Sequence, residues 1–322
     1  MGNWLITGGC GFIGSSLTEQ LLNIGHQVRI VDNLTVGKPS ALLFAPTAVT
    51  NYKDWDRLQL VEADIKDRGT ALKVVEGADT IVHLAANTGV IPSIESPQED
   101  CETNVIGTFN YLDAARSQND ISFVFASSSA PLGDHEPPLH EELAPHPKSP
   151  YGASKLAGEA YCSAFWHSFG VRTTALRFGN AYGPGSAHKE SVVARFCRRV
   201  LQGETLEIFG DGGQTRDFIY IDDIVDAIIR SGEQTAGGGE VLQIATASEH
   251  TVNEIAERIA ALAKEVANIE TTVIYHDARA GEVLRSFADT SKAEKFLGFR
   301  PQTSLDHGLS KTFYYMKDVL SA

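Results

Sequence analysis

Short apolar runs alternate with amphipathic stretches over the first 180 residues of the chain. The apolar runs are 4–7, 27–32, 58–64, 80–86, 122–128 and 172–178. The amphipathic stretches are 13–24, 68–76, 103–117 and 151–169. Strands buried on both faces of a parallel sheet read as continuous apolar runs, and helices connect them. The alternation therefore predicts an α/β fold with a doubly wound parallel sheet.

The pattern loosens after residue 180, which predicts a second, smaller domain. Helices are expected at 190–202, 222–232, 251–266 and 291–297, and a further strand of the sheet at 240–245. We expect residues 1–180, joined by about 217–245, to form the sheet domain. Residues 181–216 and 246–322 are expected to form the smaller domain.

Composition excludes several classes of partner. The net charge is −14, so the surface offers nucleic acid no electrostatic attraction. No apolar run approaches the roughly 18 residues of a membrane span, and the N-terminal sequence does not read as a signal peptide. The four widely spaced cysteines are expected to be free thiols, and the ten histidines do not cluster at metal-ligand spacing. These features predict a cytoplasmic protein without a metal site.

The first turn of the predicted sheet is rich in glycine. Gly8, Gly11 and Gly14 follow a strand directly and open a helix, and Asp32 ends the next strand. Such glycines permit a tight turn and a close approach of backbone to a pyrophosphate, and the helix N-terminus favours its charge. A carboxylate about 20 residues further on accepts hydrogen bonds from a ribose 2′-hydroxyl and repels a 2′-phosphate. The pattern predicts a Rossmann domain that binds NAD.

A tyrosine and a lysine are spaced four residues apart on a predicted helix. At this spacing Tyr151 and Lys155 share one helix face, where an ammonium is expected to lower the pKa of the phenol and make it a general base. Ser128 lies at the carboxyl end of a predicted strand, where ligands of open α/β sheets bind. A surface tyrosine, a solvated lysine and a strand-end cap are the structural alternatives.

In this order, the motifs resemble those of the extended short-chain dehydrogenase/reductase family, in its NAD-dependent sugar-nucleotide epimerase and dehydratase branch. They are TGGCGFIG (7–14), VDNL (31–34), AD (63–64), HLAA (83–86), NVIGT (104–108), SSS (127–129), YGASK (151–155), LRFGNAYGPGS (176–186), GDGGQTRDFIYIDD (210–223) and ARAGE (278–282). The resemblance implies that Tyr151 removes the proton of the sugar 4-hydroxyl, that Ser128 hydrogen-bonds its oxygen, and that Lys155 holds the nicotinamide ribose.

The resemblance also implies the binding residues. For NAD they are Gly8, Gly11, Phe12, Ile13, Gly14, Asp32, Asn33, Asp64, Ile65, Leu84, Ala85, Ala86, Asn104, Tyr151 and Lys155. For a UDP-sugar they are Ser128, Ser129, Asn180, Arg216 and Arg279. Two alternatives stay open: Asp64 contacts the adenine amine or caps the next helix, and Asn104 bridges backbone near the site or is a plain N-cap.

The residues that follow Ser128 favour one branch of the family. Ser129 and Ala130 stand where 4,6-dehydratases carry an Asp-Glu pair and decarboxylases typically a Glu. The sequence therefore predicts a 4-epimerase acting through a 4-keto intermediate, with UDP-glucose and UDP-galactose as expected substrates. A UDP-hexuronate such as UDP-glucuronate, or a UDP-N-acetylhexosamine, is the alternative, because 131–133 departs from the family's Val-Tyr-Gly. A dehydratase or decarboxylase and a non-catalytic NAD-binding regulator are further alternatives.

Two more expectations concern contacts. His188 and Lys189 are expected to be loop residues, nucleotide contacts or ligands of a sugar carboxylate. The family commonly dimerises through paired helices, which implies a homodimer formed by 103–117 and 151–169. The alternative is that their apolar residues face only the subunit's own core.

Overall fold

The structure is a computed structural model that describes residues 1–42, 57–234, 238–278 and 283–321. The strands in chain order are β1 (Asn3–Thr7), β2 (Gln27–Asp32), β3 (Leu58–Glu62), β4 (Thr80–His83), β5 (Ser122–Ser128), β6 (Arg172–Phe178), β7 (Asn180–Tyr182), β8 (Leu206–Phe209), β9 (Thr215–Arg216), β10 (Phe218–Tyr220), β11 (Glu240–Ile244), β12 (His250–Thr251) and β13 (Val273–His276). Seven of them form one parallel sheet in the order β11-β6-β5-β4-β1-β2-β3. This order confirms the predicted doubly wound α/β fold, and β11 is the strand expected at 240–245.

Helices cover both faces of this sheet and build the rest of the chain. They are α1 (Phe12–Asn23), α2 (Arg68–Val74), α3 (Val90–Glu95), α4 (Pro97–Cys101), α5 (Thr108–Ala115), α6 (Pro150–Phe169), α7 (Val192–Leu201), α8 (Ile221–Glu233), α9 (Val252–Ala267), α10 (Ser291–Leu297) and α11 (Leu305–Ser321), with a 3-10 turn at Pro39–Leu42. The helix expected at 103–117 is two segments, because Glu102–Gly107 is π-helical and only then does α5 begin.

Two apolar cores lie on opposite faces of the main sheet. Along β1, Trp4 and Ile6 belong to one core and Leu5 to the other, as the alternation of side chains in a strand requires. The strands are therefore apolar on both faces, which explains their continuous apolar runs. The runs expected to end at 64 and 86 end as strands at Glu62 and His83, because the residues beyond them enter loops.

Helix α6 shows how local sequence fixes an element that reaches the site. Ser149 is its N-cap and accepts a hydrogen bond from the backbone N–H of Gly152 at 3.1 Å. Pro150 occupies the first turn, where no backbone donor is needed. The helix ends at Gly170, whose φ of +72° is left-handed. These signals place the start of α6 beside the carboxyl ends of the strands.

Besides β11, the described part of the chain that follows β6 contains three small strand pairs and five helices. Strands β7 and β10 are parallel, β8 and β13 are parallel, and β9 and β12 are antiparallel. Helices α7, α9 and α11 pack against one another. In the part of the chain that the structure describes, no helix has the length and apolar character needed to cross a membrane.

Candidate active site

A cleft of about 410 Å³ opens at the carboxyl ends of the main strands. Its walls come from the glycine turn, the loops after β2 and β4, the start of α6 and the segment that follows β6. Of the sequence-predicted residues, the cleft is lined by Gly8, Gly11, Phe12, Ile13, Gly14, Asp32, Asn33, Ile65, Leu84, Ala85, Ala86, Ser128, Tyr151, Lys155 and Asn180. One cleft thus brings together most residues expected to bind cofactor and most expected to act on substrate.

The glycine turn is packed so closely that side chains are excluded. Gly8 has a φ of +70°, and a Cβ there would lie 2.8 Å from the backbone nitrogen of Ala85. A Cβ on Gly14 would lie 2.4 Å from the carbonyl oxygen of Gly8. Helix α1 starts after Gly11 with no side-chain cap and no acidic residue in its first turn. Its free N–H groups and partial positive charge fit a pyrophosphate.

Asp32 joins the end of β2 to this turn. One carboxylate oxygen accepts from the backbone N–H of Cys10 at 3.0 Å, and the other from that of Leu34 at 2.9 Å. The side chain lines the cleft although the residue is only 7% exposed. A carboxylate has about four acceptor positions, so it retains capacity for a ribose hydroxyl. The glycine turn and Asp32 therefore fit the dinucleotide that the sequence predicts.

Asp64 and Asn104 do not line the cleft. Asp64 is not the cap of the next helix, because Asp67 caps α2 by accepting from the backbone N–H of Gly69 at 2.9 Å. Asn104 lies inside the π-helical segment and is not an N-cap. Its Oδ1 accepts from the N–H of Asn87 at 2.8 Å, and its Nδ2 donates to the Asn87 carbonyl at 2.9 Å. It thus bridges the loop after β4, which forms one wall of the cleft.

Ser128, Tyr151 and Lys155 meet at the strand ends. Ser128 and Tyr151 both line the cleft, and the Lys155 Nζ lies 5.9 Å from the centre of the Tyr151 ring. The ammonium donates to the Ala126 carbonyl at 2.7 Å and lies 4.9 Å from the Phe125 ring centre. The geometry holds a hydroxyl, a phenol and a cation at one point of the cleft.

The expected drop of the Tyr151 pKa toward neutrality is wrong for the chain by itself. Burial raises the pKa of Tyr151 to about 12, the hydrogen bond with Ser128 opposes this, and the charge of Asp100 adds to it. Burial also lowers the pKa of Lys155 from its usual 10.5 to about 8, opposed by Asp100 and Glu159. Desolvation disfavours the charged form of both groups and outweighs the neighbouring charges.

A buried ion pair holds together the helix and strands that carry these residues. Arg177 donates to both carboxylate oxygens of Glu159, at 2.8 and 2.7 Å, and Ser127 donates to the same carboxylate at 2.6 Å. Glu159 follows Lys155 by one turn of α6, and Ser127 immediately precedes Ser128 in β5. The pair therefore ties α6 to β5 and β6 where the reactive side chains stand.

Several residues of the site were not predicted from the sequence. Asp100 is 2% exposed, accepts from Asn104 at 2.6 Å and from Ser154 at 3.3 Å, and raises the pKa of both Tyr151 and Lys155 through its charge. Its position in the short helix α4 gave no signal, because an acidic residue there reads as a solvated side chain. The cleft is also lined by Thr35, Val36, Gly37, Asn87, Thr88, Thr103 and Ser191.

Only some of the residues expected to bind substrate line the cleft. Asn180 lines the cleft and donates through Nδ2 to the Asp217 carbonyl at 3.3 Å. Ser129 and Arg216 do not line it, and Arg216 donates to the carbonyls of Thr215 and Val283 at 2.7 and 2.8 Å. Arg279 lies outside the described residues. A bound diphosphate must therefore compete with backbone carbonyls for the Arg216 guanidinium.

Carboxylates and metal ligands are scarce in the cleft. Among the described residues that line it, Asp32 is the only Asp or Glu, and it stands at the glycine turn. Over the same described part of the chain, no group of three His, Cys, Asp or Glu side chains is arranged to hold a metal ion. A tyrosine with a serine partner is the acid–base pair that these residues offer at the strand ends.

Comparison with known proteins agrees with this geometry. The sequence profile described as the NAD dependent epimerase/dehydratase family matches residues 4–245. The chain belongs to this family. The match confirms the resemblance drawn from the motifs, and NAD is the cofactor, as predicted.

Related proteins cover the whole chain. The UDP-glucose 4-epimerase of Mycolicibacterium smegmatis is 35% identical over 98% of both chains. The UDP-glucuronate 4-epimerase of Thermodesulfobacterium geofontis is 31% identical over 99% of this chain and 97% of its own. The crystal structure of UDP-glucose 4-epimerase with UDP-glucose from Thermotoga maritima has a TM-score of 0.88 at 34% identity and 99% coverage of both chains. Family members with different sugars thus match this chain about equally well.

Proposed function

We propose that the chain is a UDP-sugar 4-epimerase that inverts C4 of UDP-glucose and UDP-galactose. The observation that carries the proposal is that Ser128, Tyr151 and Lys155 share one cleft with the glycine turn, whereas the only Asp or Glu in the described lining is Asp32, at that turn. Dehydration and decarboxylation of a nucleotide sugar need a further acid or base, whereas epimerisation removes and restores one proton and one hydride at the same carbon. The composition of the cleft favours epimerisation.

In this proposal each side chain has one task. Tyr151 takes the proton of the sugar 4-hydroxyl and later returns it, and Ser128 hydrogen-bonds the same oxygen. When bound, NAD would supply reversible hydride transfer at C4 and a positive charge that favours the phenolate. Lys155 holds ribose hydroxyls, and Asp32 selects NAD by repelling a 2′-phosphate.

Nucleotide binding is assigned to the chain after β6. Asn180 lies in the cleft, and Arg216 and Arg279 are proposed to bind the diphosphate, since guanidinium groups contact two oxygens at once. A smaller pocket of about 90 Å³ lies across the segment 188–192 from the cleft and includes Phe209. We assign residues 181–216 and 246–322 to substrate binding, and residues 1–180 with about 217–245 to NAD.

A panel of UDP-sugars tests this proposal. The NAD-loaded protein is incubated with UDP-glucose, UDP-galactose, their N-acetyl forms and UDP-glucuronate, and products are resolved by NMR. We expect interconversion of the two hexoses at C4. Preferred turnover of an N-acetyl sugar or of the glucuronate would change the proposed substrate, but the proposed C4 epimerisation would stand. Release of CO2, accumulation of a 4-keto-6-deoxy sugar, or no turnover at all would contradict the proposal.

We also propose that the protein is a homodimer. On α6, Ala153, Ala160, Tyr161 and Ala164 are exposed at helical spacing, whereas Phe165 packs against Phe109 in the subunit's own core. Ile91 and Ile94 on the neighbouring α3 are 63% and 59% exposed. This apolar face suits a second copy of the chain. We expect light scattering to give twice the monomer mass and Tyr161→Glu to give the monomer; a monomeric wild-type protein would contradict this.

A further inference from the structure

The segment after β7 brings two basic side chains to the cleft beside the glycine turn. His188 and Lys189 both line the cleft. A Cβ on Gly185 would lie 3.3 Å from the ring of Phe12, the first residue of α1. This segment therefore passes beside the turn and helix N-terminus that fit a pyrophosphate.

A second cation, Lys38, lies in another loop that packs against the glycine turn. It follows Gly37, where a Cβ would lie 2.7 Å from the backbone of Cys10 in that turn. Burial lowers the pKa of His188, and the positive charges of Lys189 and Lys38 lower it further. The charges of two lysines from two loops thus act on His188 at the cleft.

Lys189 has no negative partner among the described residues. Its ammonium makes no hydrogen bond or ion pair with them, and burial lowers its pKa. The adjacent carboxylate of Glu190 does not neutralise it, because Glu190 pairs with Arg198 at 2.6 Å. A partly buried cation without a partner destabilises the protein, so such a group points to an anionic ligand.

Ser191 gives an independent indication. It is the N-cap residue of the ten-residue helix α7, but its side chain makes no cap hydrogen bond. Its Oγ is buried without a hydrogen-bond partner in the described structure, and the residue lines the cleft beside Lys189. A free hydroxyl and a helix N-terminus next to an unpaired ammonium are the groups that bind phosphate.

We propose that Lys189, assisted by His188 and Ser191, binds a phosphate of a diphosphate ligand in the cleft. The inference rests on the proposed function and adds a binding site to it. Its place beside the glycine turn favours phosphate over a sugar carboxylate, which must lie at the reactive end with Tyr151. The phosphate belongs either to the dinucleotide or to the nucleotide sugar, since both are diphosphates.

Calorimetric titrations separate the two sources. NAD is titrated into protein freed of nucleotide, and UDP or uridine into NAD-loaded protein, for the wild type, Lys189→Met and Lys189→Arg. We expect Lys189→Met to weaken NAD or UDP about tenfold and uridine less than about twofold, whereas Lys189→Arg keeps the affinity within about threefold. Lys295→Met, on exposed α10, is the control and should change neither.

Three results would overturn the site. The first is unchanged affinity for both diphosphates in Lys189→Met. The second is weaker UDP binding that is matched by an equal loss for uridine. The third is a lower melting temperature of nucleotide-free Lys189→Met, because removing an unpaired cation should leave stability equal or raise it. These binding measurements do not depend on turnover. The phosphate site can therefore be refuted while epimerisation is observed, or supported when no epimerisation is observed.

Discussion

The guanidinium of Arg177 donates to both carboxylate oxygens of Glu159, at 2.8 and 2.7 Å, in a pair whose side chains are 3% and 4% exposed. Ser127 donates to the same carboxylate. Removing one partner of a buried pair leaves the other charge uncompensated in a medium of low polarity. The pair therefore contributes to stability and to the placement of α6, on which Tyr151 and Lys155 stand.

We expect Glu159→Gln to lower the free energy of unfolding by about 3 kcal/mol or more. Chemical denaturation measures this, and Glu159→Leu combined with Arg177→Met should recover much of the loss because no lone charge stays buried. Glu270→Gln is the matched control, since its pair with Lys264 is exposed and worth under about 1 kcal/mol. If both Glu→Gln changes lowered the free energy of unfolding equally, the buried pair would contribute no more to stability than an exposed pair.

Glycine 14 tests the fit of the turn to a dinucleotide. The Cβ of Gly14→Ala would lie 2.4 Å from the Gly8 carbonyl oxygen, so the turn must open and NAD should bind more than about tenfold more weakly. Gly203→Ala is the control: φ is +74° there, but a Cβ meets nothing within 4 Å. That control should lose about 1 kcal/mol of stability and keep its affinity for NAD. NAD affinity that survives Gly14→Ala would refute the assigned pyrophosphate site.

The sequence predicted the main sheet well for a physical reason. Strands buried on both faces must be apolar throughout, and helices such as α6 carry their own start and stop signals at Ser149, Pro150 and Gly170. The small strand pairs were missed because strands of two to four residues are too short to show a periodic pattern. Helix α11 was missed as well, although its 17 residues are long enough to show a pattern.

Site residues could be predicted where the backbone geometry requires a particular residue type. They were missed where only tertiary contacts bring a residue to the site. Gly8 and Gly14 leave no space for a side chain, so the glycine motif can be recognised in the sequence. Asp100 is distant from Tyr151 in the chain and meets it only through the packing of α4 against α6. The Tyr151 pKa was misjudged because helical spacing reveals the neighbouring charge but not the burial of both groups.

His83 makes stability depend on pH. Its ring lies between the hydroxyls of Thr7 and Thr108, at 2.9 and 3.1 Å, and burial lowers its pKa to about 3. An unfolded histidine titrates near pH 6.5, so between pH 6.5 and 3 the unfolded state binds a proton that the folded state does not. Stability is therefore lost as pH falls below 6.5, by up to about 1.4 kcal/mol per pH unit.

We expect His83→Gln to remove this contribution, so that the free energy of unfolding falls less between pH 7 and pH 5 than in the wild type. Urea denaturation at the two pH values measures the difference. His167→Gln is the control, because His167 is exposed and should leave the slope unchanged. An identical slope in wild type and His83→Gln would mean that His83 has the same pKa in the folded and the unfolded protein, and would contradict this account.

Tyr151→Phe removes the proposed base and preserves the ring that fills the cleft. We expect the variant to fold and bind NAD like the wild type and to invert C4 about 10² to 10⁴ times more slowly. Tyr161→Phe, on the exposed face of the same helix, is the control and should keep the wild-type rate.

NMR of UDP-glucose incubated with the NAD-loaded wild type and with Tyr151→Phe tests the central claim most directly. The account predicts that UDP-galactose forms with the wild type and that its appearance nearly stops in the variant. Formation of UDP-galactose at equal rates by both proteins would contradict it.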